Sequence, residues 1–108
     1  MGFTATFAGV AVRSIDDARA WYTDFFGREP DMLPHDREAV WCVTSDGWVY
    51  VVEDTERAGR SLVTLLVDDL DARDVGDVET LSNGTRVAVV TDPDGNKIQL
   101  GQPPTGAA

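Results

Sequence analysis

The 108-residue chain is poor in the residues from which most metal and nucleophilic sites are built. It has one cysteine, Cys42, and one histidine, His35. A single cysteine excludes an intramolecular disulfide and a zinc site built from cysteines, and a single imidazole excludes most mechanisms that need two from one chain. Basic residues are also scarce, with 9 Lys and Arg against 19 Asp and Glu, a formal net charge of −10. The acidity is spread over both halves of the chain. A surface of this sign repels phosphate backbones, which argues against nucleic acid as a partner. No apolar run approaches the ~18 residues of a membrane span, and Met1–Phe7 has no basic stretch ahead of an apolar one. A cytoplasmic protein without a membrane partner is expected. The remaining composition is ordinary, 43% hydrophobic and 26% charged. It suits one domain over 1–108 and not two independent ones.

One pattern is written twice. Thr6 to Val12 reads as a short buried strand, and Ser14 then opens the clearest helix of the chain. Ser14 is a cap with Asp17 three residues on, and Ile15, Ala18, Tyr22 and Phe25 recur at helical spacing. Gly27 and Pro30 end the helix. An extended piece near Glu29–Leu33 and strands at Arg37–Val43 and Trp48–Val52 follow, the last two joined by the turn Thr44–Gly47. After a charged connector, Leu62–Val67 is again a strand and Asp68 to Arg73 again opens a helix. Thr85–Thr91 and Lys97–Gln102 flank the turn Asp92–Gly95. Val12-x-x-Ile15 thus recurs as Val67-x-x-Leu70, and the second copy is shorter between helix entry and final hairpin. Two βαβββ modules are expected, at about 6–53 and 61–102, with Pro103–Ala108 frayed. Neither copy alone buries much core, so the two must pair within the chain or with a second subunit.

Two such modules, with VDDLDA opening the second and DPDGNKIQL closing it, resemble the vicinal oxygen chelate superfamily of glyoxalase I, extradiol dioxygenases and bleomycin-resistance proteins. The resemblance runs from about Thr6 to Gln102. It implies an α+β fold in which a curved, mainly antiparallel sheet carries helices on its convex side. It also implies a divalent metal in the cleft of that sheet, held by His, Glu or Gln on the first and last strand of each module. Counting back from the two helix entries, those places hold Phe7 and Leu62, the closing position after DPDGN falls on Gln99, and the fourth is Tyr50 or Val51. Tyr50 is preferred, because Val49 and Val51 then share one core face. A phenyl, a phenol, an isobutyl group and a neutral amide are poor ligands for zinc, iron, nickel or manganese. No metal and no cofactor is therefore expected, in the manner of the superfamily's metal-free members.

Strand alternation sends Phe7, Gly9 and Ala11 to the cleft, then Leu62, Thr64 and Leu66, then Gln99 with Lys97, and Tyr50 with Trp48. Trp41 is a further candidate from the neighbouring strand. The candidate ligand-binding set is therefore Phe7, Trp41, Trp48, Tyr50, Leu62, Thr64 and Gln99, an aromatic concavity with a few polar points. Strand tryptophans also serve as core or dimer packing, and the pattern leaves those roles open. His35 reads as a solvated loop residue and Cys42 as a small buried side chain. Glu53 reads as strand-end rim with a lesser claim as a general base, and the DDLDARD run as a helix start. Three functions compete, the last of them a non-catalytic interaction module. The first is a metal-independent small-molecule binding protein, its ligand antibiotic- or metabolite-like, aromatic or cationic, enclosed by a homodimer. The second is a lyase, isomerase or dioxygenase-type enzyme of the same superfamily with an atypical or absent metal site.

Overall fold

The computed structural model describes residues 2–104, so the end of the expected frayed tail lies outside the described residues. The first half runs β1 (Thr6–Val12), α1 (Ile15–Phe26), β2 (Met32–His35), β3 (Glu38–Cys42) and β4 (Gly47–Glu53). The second runs β5 (Leu62–Leu66), a single 3-10 turn (Leu70–Ala72), β6 (Glu79–Thr80), β7 (Arg86–Thr91) and β8 (Lys97–Gln102). Each half makes one four-stranded sheet, ordered β1-β4-β3-β2 and β5-β8-β7-β6. β1 runs parallel to β4 and β5 parallel to β8, and the other neighbours are antiparallel. No helix of the described residues is long and apolar enough to cross a membrane.

Local chemistry accounts for α1. Ser14 Oγ accepts from the Asp17 N–H at 3.3 Å, and Asp16 and Asp17 face the positive end of the helix. At the other end Gly27 takes a left-handed conformation (φ 76°) and closes the helix onto the Thr23 carbonyl. The helix buries Ala18 and Tyr22 against β3 and β4, with Ile15 and Phe25 packed alongside.

The second helix departs from expectation. Asp69 caps it, but it ends after Leu70–Ala72. Leu70 alone enters the core, because Arg73-Asp74-Val75-Gly76-Asp77 offers no apolar repeat with which to continue. The inner face of the second sheet is covered instead from the first half. Tyr22, Trp41, Val49 and Val51 form one buried cluster with Leu70, Ala88, Ile98 and Leu100.

A polar joint closes the two halves. The buried Asp92 carboxylate accepts from Tyr22 Oη at 2.7 Å and from Asn96 Nδ2 at 2.8 Å, and its other oxygen takes the Asp94 and Asn96 N–H groups at 2.9 Å. Asn96 Nδ2 also donates to the Ala11 carbonyl at 2.8 Å, while its Oδ1 accepts from the Ser61 N–H at 2.9 Å. The free edge of β1 is thereby met by side chains rather than by another strand. Ala11, assigned by alternation to the cleft, is buried beneath them. The DPDGN segment is a hairpin turn, and it is also the joint of the molecule.

Candidate functional site

The side of each sheet away from α1 carries most of the residues singled out above. On the first sheet, Phe7 is the direct partner of Trp48 across the parallel β1–β4 pair, and their rings stack at 5.6 Å with 9° between planes. Phe7 is nevertheless 52% exposed. Tyr50 is partnered with Gly9, and its ring lies across β1 at that position. A Cβ on residue 9 would come within 2.5 Å of the ring, so only glycine admits the phenol there. Val49 and Val51 point the other way and are buried, which places Tyr50 on the outer face with Trp48.

On the second sheet, Thr64 of β5, Gln99 of β8 and Val89 of β7 form one row across three strands. Leu62 and Leu66 stand on either side of Thr64 along β5, 69% and 67% exposed. Lys97 faces Leu62 across the pair and donates to Thr91 Oγ1 at 3.2 Å. Val89 is an exposed member of this face that the sequence reading did not name. The alternation of β7 opposite Gln99 was the signal for it.

Trp41 does not belong to this surface. It is paired with Val49, is wholly buried on the helix side, and packs against Tyr22 and Phe26. Its indole N–H donates to the Arg28 carbonyl at 3.0 Å, which satisfies the one polar atom of a core side chain. Cys42, the residue opposite Trp48, is half-buried rather than buried, and its thiol donates to the Thr44 carbonyl. Glu53 is engaged elsewhere: Oε1 accepts from the Ile15 N–H at 3.1 Å and helps cap α1. His35 lies in β2, exposed, with Nε2 3.0 Å from Glu38 and Nδ1 accepting from the Arg37 N–H.

The divalent metal that the fold implies does not fit these residues. Phe7 and Leu62 have no donor atom and Tyr50 offers a neutral phenol, so Gln99, a weak neutral donor, is left without the imidazole and carboxylate partners that a divalent metal needs. Among the described residues, no three His, Cys, Asp or Glu side chains converge. The first sheet can offer ring faces for stacking, and the second an amide and a hydroxyl for directional hydrogen bonds and apolar area for desolvation.

No protein-family model and no curated protein matches the chain. Solved structures do. A glyoxalase/bleomycin resistance protein from Catenulispora acidiphila is 40% identical, with a TM-score of 0.86 over 94% of this chain and 100% of that one. A lactoylglutathione lyase from Agrobacterium tumefaciens shares the fold at 17% identity, with a TM-score of 0.74 over 94% of this chain and 96% of its own. So does an antibiotic-binding protein from a Streptomyces species, at 24% identity and 0.69 over 96% and 99%. With two four-stranded halves in this order, the second keeping a single 3-10 turn where the first has its helix, and a relative 40% identical along its full length, the chain belongs to the glyoxalase/bleomycin-resistance family of the vicinal oxygen chelate superfamily.

Proposed function

We propose that this protein binds a small antibiotic- or metabolite-like molecule on its outer aromatic face, without a metal, as a homodimer. The observation that carries the reading is the Phe7–Trp48 stack beside Tyr50. These aromatics are held by cross-strand pairing, with Phe7 exposed and Trp48 and Tyr50 half-buried. A contiguous exposed apolar surface marks a place that a ligand or another protein covers. Gln99 and Thr64, neighbours on the second sheet, supply the polar points. A net charge of −10 favours a neutral or cationic ligand, and flat cations bind well over ring faces. A second copy laid over these faces would also bury Leu62 and Leu66, the reason for proposing two-fold pairing. The enzymatic alternative is weakened at one point, because Glu53 spends its carboxylate on the helix entry.

A thermal-shift screen of flat aromatic and cationic metabolites supplies ligands to test. Titration of a hit against Trp48→Ala and Tyr50→Ala should show affinity falling roughly ten- to a hundredfold, from lost area and lost stacking. Variants that are folded by circular dichroism and bind as tightly as the parent would place the site elsewhere. Sedimentation should give about twice the single-chain mass of 11.7 kDa. A single-chain species at micromolar concentration refutes the dimer.

A further inference from the structure

In this acidic chain nearly every cation is matched. Arg13 meets Asp94, Arg19 Glu29, Arg28 Asp31, Arg37 Glu53, Arg57 Asp54 and Arg86 Asp71. Arg60 donates to the Glu56 carbonyl and Lys97 to Thr91. Among the described residues Arg73 alone among the arginines and lysine has no such partner, although acids outnumber bases 19 to 9.

Its position explains why that matters. Arg73 follows the shortened second helix and stands, exposed, where two cavities of about 230 and 320 Å³ adjoin, sharing Phe25 and Leu100 between them. A full-length helix would cover this inner face of the second sheet. Here the covering is the C-terminal part of α1, and it leaves a crevice. The smaller cavity has an apolar floor of Phe25, Phe26, Trp41, Leu65 and Leu100, and its charged lining residues are Arg28 and Arg73, with no carboxylate. Arg28 is already held by Asp31 at 2.6 Å, which leaves Arg73 available. The larger cavity carries Asp24 and Asp74, so an anion is steered to the smaller one. The crevice touches Leu66 but none of Phe7, Trp48, Tyr50 or Gln99, and is separate from the outer aromatic face.

We propose that this crevice is a second binding site, which takes a small organic anion: one carboxylate on a single flat apolar ring. The Arg73 guanidinium, a planar fork of donors, matches the carboxylate, and the ring enters between the Phe25–Phe26 edge and Leu100. The site owes nothing to the reading of the outer face and stands or falls separately.

Benzoate is the probe, benzamide its neutral counterpart, and tryptophan emission with calorimetry the readout. Benzoate should bind saturably. Arg73→Ala and the change to benzamide should each weaken binding about tenfold, Arg73→Lys should recover part of the loss, and Arg57→Ala, which removes an exposed arginine away from the crevice, should leave it unchanged. Arg73 is exposed, so its variants should stay folded, and circular dichroism checks that they do. The proposal is overturned if benzoate gives no saturable response, or if Arg73→Ala binds it like the parent. It is overturned equally if Arg57→Ala weakens binding as much as Arg73→Ala, which would make overall charge and not the crevice the cause. Should benzoate be silent while Arg73→Glu shifts sedimentation, the crevice is covered by a second copy of the chain and the site is lost.

Discussion

The two halves share a strand plan and differ in almost everything laid upon it. Every Phe, Tyr and Trp of the chain lies in the first fifty residues, and the second half has none. The first half has a full helix, and large rings fill the space between that helix and its sheet: Trp21, Tyr22, Phe25, Phe26 and Trp41 touch in one chain of contacts. In the second half the helix is one turn, and the inner face is aliphatic and small, with Ala88, Ile98 and Leu100. Such a face cannot stay dry by itself; it borrows α1. The difference teaches that a duplicated module can lose its helix if its twin supplies the cover, and that the two copies then cease to be separable.

The sharpest test of this division sets the inner face of the first half against its outer face. Trp41→Ala should destabilise the protein by about 3–5 kcal/mol in denaturant unfolding, since it empties a space that the surrounding core cannot refill. Trp48→Ala, half-buried on the outer face, should cost clearly less, about 1–2 kcal/mol. Equal losses would mean that the outer face is also packed away, and the assignment of faces would fail.

The next largest effect lies at the joint. Asp92→Ala strips acceptors from buried Tyr22 and Asn96 and should cost about 2–4 kcal/mol. The same contact has a pH signature. Burial first, and then the Asp92 carboxylate, holds the Tyr22 phenol neutral far above its ordinary range. The unfolded chain releases that proton near pH 10 while the native chain keeps it. This contribution to stability is therefore complete below pH 10 and is lost above it, at about 1.4 kcal/mol per unit. Tyr22→Phe should remove that alkaline slope, and an unchanged slope would show that Tyr22 is not its source.

The smallest effect blurs the two faces instead of separating them. Gly9→Ala drives a methyl group into the Tyr50 ring and should cost about 1–3 kcal/mol. It should also weaken any ligand of the aromatic face by displacing the phenol. A variant with unchanged stability would mean that Tyr50 moves freely and is not pinned.

What the sequence made legible follows from how local the causes are. β1 and β8 and the caps of α1 are written in neighbouring residues, in alternation, in Ser14 with Asp17, and in Gly27. β6 is two polar residues, Glu79 and Thr80, made a strand only by pairing with β7, and nothing nearby announces it. The second helix was anticipated from its entry signature. The signature is real, but a helix needs an apolar stripe after it, and the stretch from Arg73 to Asp77 has none. Trp41 was a candidate for the wrong face because its direction depends on its register with β4, where it meets Val49. That register follows from the Thr44–Gly47 turn, and a turn's length alone leaves the choice of face open. The outer residues Phe7, Trp48, Tyr50, Thr64 and Gln99 follow from alternation once strand directions are known. The joint at Asp92 was invisible in sequence, since Asp-Pro-Asp-Gly already makes sense as a turn and its partner Tyr22 is far away along the chain.

That distance has a consequence for the birth of the molecule. The bonds closing the joint link residues 70, 81 and 85 positions apart, from Tyr22 to Asp92, Arg13 to Asp94 and Ala11 to Asn96. Contacts of such separation form late and slow the folding rate, because the loop entropy is spent before the contact rewards it. During synthesis the first fifty residues, with all the aromatic rings, emerge well before β7 and β8 exist to seal them. For that interval the Tyr22 hydroxyl lacks its partner Asp92. A first half whose inner surface is not yet covered by the second exposes apolar area of the kind that favours aggregation, and formation of the β7–β8 hairpin is what covers it.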